Sequence, residues 1–388
     1  MLFLAGVAQI VLVMAWWAAL LAGRLGAPAL PPPLLPATTL HGFLMVFGVF
    51  PFFIFGFLFT VYPRWLGRAP IARGAYVFTF SALTLGMTLV YLGLYLHRAI
   101  SIAGLAVYLA GFSQAVAVLV RVAGRAAWRD PHLRTLNLAL AAGALGIAGF
   151  VGFAFTETPQ LLRAAREAGL WLFLVPVVFT VSHRMIPVFS QGALMNYLIV
   201  RPVWGLPLVT ACAVAHAGLE LAGLPHWRFL ADAPLAAAAL HHSWLWQFRR
   251  SFHARLLAML HIAFLWLGLA MTLYTLQGLT LLVTGTDHFG RAPLHALGIG
   301  FLTGMIVAMA SRVTLGHSGR ALAADTLTWT ALLGVNLVAL ARIAGEFWPA
   351  GYATLNLVAA VLWLAFVGAW AMRYLPLYLK PRADNQPG

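Results

Sequence analysis

The sequence predicts an all-α polytopic transmembrane helix bundle of about twelve spans, forming a single integral membrane domain over 1–388. Three observations carry that prediction. Of 388 residues, 62% are hydrophobic and only 9% are charged. Mean hydropathy is +0.90. Apolar segments of spanning length, about 20 residues each, follow one another along the whole chain. Soluble domains carry about 25% charged residues, so an ordinary soluble enzyme is excluded.

Twelve segments have the length and composition of spans: 2–23, 40–62, 74–96, 99–121, 135–156, 168–190, 203–222, 227–247, 256–282, 292–312, 326–346 and 352–375. Helices are the only open-ended way for such segments to satisfy their backbones in lipid. The eighth is the weakest, because it contains Asp232, Pro234, His241 and His242. The loop at 28–36 holds Pro28, Pro31, Pro32, Pro33 and Pro36 and is expected to be an extended, stiff strap. Span five carries Gly143, Gly146, Gly149 and Gly152, and span ten the GxxxG pair Gly300 and Gly304. Both patterns predict close backbone packing.

A net charge of +15 would suggest nucleic acid in a soluble domain. Here the charge sorts by membrane face. The loops after even-numbered spans, with the C-terminus, hold seventeen Arg and Lys and three acids; the other face holds seven and six. The basic-rich face is expected to be cytoplasmic, with both termini on it. No basic residue precedes the first span, which argues against a signal peptide. A single cysteine, Cys212, excludes a disulfide framework, a four-Cys metal site and CxxCH haem attachment. No loop exceeds about 20 residues, so no soluble nucleotide-binding domain interrupts the bundle. Any chemistry lies between helices or at the membrane surfaces.

Ionisable residues inside spans mark function by default. Carboxylates are scarce there. Glu157, Glu167, Glu220, Asp287 and Glu346 lie near span ends, Asp232 about a turn in, and none at a span middle. Arg342 and Glu346 are spaced to neutralise each other. Histidine is the abundant type, thirteen against nine acids. His41, His216 and His295 fall in one half of the membrane. His183, His241, His242 and His261 fall in the other, each about 8–10 Å from the basic-rich end of its span. Neutral imidazole is a common ligand for copper and haem iron, although a lone histidine in a bundle is more often a hydrogen-bonding partner than a ligand. Met45, one turn after His41, is a soft partner, while Met305 and Met309 read equally as core. Arg184 and Arg312 have two readings: pairing a haem propionate, or snorkelling to anionic lipid.

The strings HGFLMVFG (41–48), GFLFTVYPRWLGR (56–68), HRMIPVFSQGAL (183–194), LLAMLHIAFLWLGLAM (256–271) and HALGIGFLTGMIVAMASRVTLGHSGR (295–320) together resemble the NnrS family. These are multi-spanning bacterial inner-membrane proteins linked to nitric oxide and nitrosative stress. The likeness runs in order from the second span to about the eleventh. It implies haem and copper as cofactors, and carries over His41, Met45, Arg184, His261, His295, Arg312 and His317 as candidate cofactor-binding positions. Where the family's second-span motif reads His-x-His-Glu-Met, this chain has Phe43 and Leu44 in place of the second His and the Glu. A metal site needing those groups is therefore expected to be altered or absent. The start of the chain also looks short beside the family's basic leader.

The resulting expectation is a haem protein, with copper as a second metal, that takes part in tolerance of nitric oxide during denitrification-related metabolism. His41 and His295 are the candidate ligands of one metal site, and His261 with His241 or His242 those of another. Expected partners are the lipid bilayer and a diatomic such as nitric oxide, and not nucleic acid. No catalytic motif is identified, so enzyme status stays open. Two alternatives remain: a secondary transporter of a small solute, disfavoured by the missing mid-span acid and the absence of a repeat between halves, and a factor handling haem or copper for a partner complex.

Overall fold

The computed structural model describes residues 1–384. Among them, helices occupy every predicted span: α1 (Leu2–Arg24), α2 (Ala37–Leu66), α3 (Arg73–Gly93), α4 (Arg98–Ala123), α5 (Pro131–Thr156), α6 (Pro159–Ala193), α7 (Gly205–Leu221), α8 (Phe229–Leu245), α9 (Arg255–Thr284), α10 (Ala292–His317), α11 (Thr326–Phe347) and α12 (Tyr352–Tyr374). Ten of these helices are long and apolar enough to cross a membrane. The exceptions are α7 and α8, each of 17 residues, the lower end of the spanning range. The short α8 is the segment whose composition is weakest.

Helix ends follow local chemistry. Asp130 caps α5 by accepting from the amides of His132 and Leu133, with Pro131 in the first turn. Asp325 caps α11 by accepting from Thr328 N at 2.8 Å. Gly67 and Gly285 close α2 and α9 in the left-handed conformation that glycine adopts without a Cβ penalty. The proline-rich strap is irregular and largely exposed, tied down where Leu34 N donates to Leu94 O at 2.9 Å.

Three helices are interrupted by π-helical segments: Leu44–Val49 in α2, Ala168–Leu174 in α6 and Ala296–Thr303 in α10. Proline explains the first. Pro51 has no N–H for the carbonyl four residues back, and the buried Tyr108 hydroxyl donates to that carbonyl, Phe47 O, instead. Pro176 stands at the same offset after the second. In the third, Thr303 Oγ1 donates to Gly298 O at 2.9 Å. The interruptions recur every fourth helix, and α3–α4, α7–α8 and α11–α12 each pack as a hairpin.

Contacts divide the chain into two compact units, Met1–Val13 with Leu30–Val177, and Met14–Ala29 with Val178 onward. In the first, α3 and α4 approach backbone to backbone: a Cβ on Gly86 would stand 2.8 Å from Gly104 O. The glycines of α5 make the predicted close backbone approach in part, a Cβ on Gly146 or Gly149 standing 3.3 Å from Ala165 O or 3.5 Å from Leu161 O of α6, and also admit rings. Gly143 and Gly146 leave room for the rings of Phe173 and Phe47, each 2.8 Å from where a Cβ would be. In the second unit, Gly300 likewise receives the Trp266 ring, and Gly304 packs on Ala263.

Candidate functional site

The second unit places two histidines together. His183 lies on α6 and His242 on α8, both buried, with ring centroids 5.5 Å apart and planes inclined at 60°. His242 Nδ1 donates to Ala238 O, one turn earlier, at 2.6 Å. That bond fixes the proton on Nδ1 and leaves Nε2 with its lone pair, buried and without a hydrogen-bond partner. A ring nitrogen oriented in this way by a backbone carbonyl on its far side is the arrangement of a metal-ligating histidine.

The start of α7 approaches Nε2 this closely because residue 205 is glycine. A Cβ there would collide with His242 Nε2 and stand 3.4 Å from His183 Nε2, so both nitrogens border the same position at the start of α7. Aromatic rings line the rest. Trp204 and Trp246 each lie 5.2 Å from the His242 ring, and Phe179 lies 5.7 Å away. No carboxylate is among these neighbours. The donor set is neutral, nitrogenous and dry, which suits a soft, low-charge cation such as copper(I). The Gly205 backbone packs against both nitrogens, which leaves no room for a macrocycle between them.

The other predicted residues are distributed as follows. His241 is exposed and faces Trp204 at 5.7 Å, away from the His183–His242 contact. His261 is buried on α9, where its Nε2 is 3.1 Å from Ser190 Oγ of α6. Arg312 lies 4.0 Å over the Phe189 ring, beside that pair. Arg184 is half-buried, and its carbonyl accepts from Arg201 at 2.9 Å. His295 opens the π-segment of α10, with the Arg342 guanidinium 3.4 Å from its Nδ1; Arg342 also pairs with Glu346 at 2.9 Å, as their spacing predicts. His317 is exposed at the end of α10. In the first unit, His41 and Met45 flank the start of the α2 π-segment and are half-buried. The structure thus brings His242 to His183, and His261 to Ser190. No group of three or more His, Cys, Asp or Glu side chains that could hold a metal occurs among the described residues.

Phe43, at the altered motif position, is buried and stacks on Phe150 with centroids 4.0 Å apart. Leu44 is fully buried beside it. An aromatic stack fills the place where an imidazole and a carboxylate would stand.

Across residues 1–382 the sequence matches the family described as NnrS protein. The chain belongs to the NnrS family. It is an integral membrane protein of that family, with its helices embedded in a lipid bilayer. No curated protein matches the sequence. The sequence puts His183 in the same half of the membrane as His242 but does not pair the two. The available signals were two. HRMIPVFS opens on His183, and WG at 204–205 pairs a wide aromatic with the one residue that leaves space beside it.

Proposed function

We propose that this NnrS-family protein holds metal through histidines between its helices, a copper ion at His183 and His242 and haem elsewhere. In the proposal it uses them to bind nitric oxide or a related species during nitrosative stress, in the bacterial cytoplasmic membrane. The observation that carries the copper assignment is His242 Nε2: buried, deprotonated by virtue of its Nδ1–H···O=C bond, without a hydrogen-bond partner, and bordering the same glycine position as His183 Nε2. The haem assignment draws on the family resemblance and on His41 and His295, each beside a π-helical interruption, a feature common at functional sites.

When bound, a low-valent metal supplies an open coordination position that a small diatomic can occupy. The chain supplies the rest. Ala238 O holds the His242 ring in one tautomer and orientation. Trp204, Trp246 and Phe179 exclude water and bulky ligands. The apolar bundle lets an uncharged diatomic arrive through lipid, while anions face a low-dielectric barrier.

Purification in detergent, followed by quantification of bound iron and copper and a reduced-minus-oxidised visible spectrum, tests this reading. The expected result is bound metal, with copper lost in His242→Ala and the haem spectrum retained. A folded protein that is colourless and takes up neither metal would refute it.

A further inference from the structure

A second buried cluster in the same unit lies at the turn between α7 and α8. His216 and Asp232 are 1% and 0% exposed, and His216 Nδ1 is 2.6 Å from Asp232 Oδ1. Asp232 Oδ2 is buried and accepts no hydrogen bond. One turn nearer the membrane surface on both helices, Arg228 Nη1 donates to Glu220 Oε1. The two pairs form a ladder: Glu220 is four residues after His216 on α7, and Arg228 four residues before Asp232 on α8. Such neighbours stand about 5–6 Å apart along a helix face. Helix α9 closes the cluster. The Tyr274 ring lies 5.2 Å from the His216 ring, and Gln277 accepts from Arg228 at 3.2 Å and donates to Asp287 at 3.0 Å. The buried Cys212 is one turn before His216 on α7.

The charges in this cluster set the protonation of the inner pair. Arg228 is consumed by Glu220, and Asp287 adds a further negative charge to the outer network. A neutral imidazole with an ionised Asp232 would therefore leave an uncompensated anion in a dry interior, with one oxygen solvated by nothing. That state is expensive. Adding one proton removes the net charge, whether the proton sits on Oδ2 of the carboxyl or on the second ring nitrogen as imidazolium paired with carboxylate.

We propose that His216 and Asp232 form a proton-binding station that carries one exchangeable proton, loaded from the aqueous face at the α7–α8 turn through Glu220. The transfer balances simply. Glu220, 19% exposed, takes a proton from water, passes it inward by one turn to the His216–Asp232 pair, and returns to the carboxylate that pairs with Arg228. No electron moves. The inference stands independently of the metal reading, because it uses none of its residues.

The test is infrared difference spectroscopy on the full chain in lipid nanodiscs, taken across pH steps in H2O and D2O. Wild-type protein and His288→Gln, which removes an exposed histidine from the neighbouring loop, should share one deuterium-sensitive feature, a carboxyl or imidazolium band. Asp232→Asn and His216→Gln should lose it. The amide oxygen of Asn can still accept from His216 Nδ1, so the fold is expected to survive, as thermal melting would check. Glu220→Gln leaves the pair intact and should keep the feature but slow its deuterium exchange. If Asp232→Asn does not fold, this variant carries the test. Superimposable wild-type and Asp232→Asn spectra would overturn the proposal, and so would exchange in Glu220→Gln as fast as in wild type.

Discussion

His242 and His216 are both buried imidazoles in the same compact unit, and each makes a 2.6 Å contact through Nδ1. Their chemistry diverges because of what receives that contact. His242 donates to a backbone carbonyl, which carries no charge and does not titrate. Its other nitrogen keeps its lone pair, buried and without a hydrogen-bond partner. His216 meets a carboxylate, and the two share whatever proton the site holds. A carbonyl partner prepares an imidazole to bind a cation, whereas a buried carboxylate partner prepares it to bind a proton. The ring is the same in both. The residue opposite Nδ1 decides, and the absence of any acid beside His183 and His242 is as informative as the presence of Asp232.

The most damaging test of that contrast is His242→Ala. If Nε2 is a ligand, copper affinity should fall by more than the roughly 10–100-fold that loss of a supporting partner costs, measured by competition with a copper(I) chelator. His216→Ala should leave copper unchanged. Equal copper in both variants, and in wild type, would erase the distinction. Gly205→Val is the next test. Its side chain would occupy the position that both Nε2 atoms border. Copper should be lost with both histidines still present, at a stability cost of about 1–3 kcal/mol from overpacking. Retained copper in a folded Gly205→Val protein would move the ion elsewhere.

Much of this was legible beforehand. Spans one to six and nine to twelve announce themselves by hydropathy. The weakness of α8 was legible too, since Asp232 and two histidines within 17 residues lower its apolar character. The pairing of histidines was not legible. Adjacent His241 and His242 point about 100° apart on a helix, so only one of them reaches His183, and sequence alone does not say which helix α8 packs against. The glycines of α5 are legible only in part for a similar reason. A small residue signals that something comes close, not whether it is a backbone or a Phe ring. The π-segments follow from Pro51 in α2, yet the residue that satisfies the freed carbonyl, Tyr108, is 61 positions away.

Phe43→His sharpens the comparison from the opposite side. It returns an imidazole to the position where the family's motif carries one, but into a stack with Phe150 rather than into a prepared site. The expected result is no added metal. The cost should be about 0.5–1.5 kcal/mol of lost ring stacking and a further ~1–3 kcal/mol if the new ring nitrogens stay unsatisfied, read as a lower melting temperature. An additional equivalent of bound metal would mean that an imidazole needs less preparation than the His242 site suggests.

The smallest effect concerns a carboxylate at a helix end, where water screens the charge that burial leaves bare at Asp232. Partial burial alone would raise the Asp325 carboxyl, but Thr328 and Arg373 outweigh it and hold the group below the ordinary carboxylate range. A carboxyl depressed by folding contributes stability above its unfolded pKa and loses that contribution as pH falls through its folded value. The wild-type melting temperature should therefore decline on acidification through and below the usual aspartate range, and part of that decline should vanish in Asp325→Asn, where no titration remains. At neutral pH, Asp325→Ala should cost about 1 kcal/mol, the typical value of an N-cap, and Asp325→Asn less, since its side-chain oxygen can still accept from Thr328 N. An Asp325→Asn protein with the full wild-type acid dependence would show that the decline comes from other carboxylates whose pKa folding depresses.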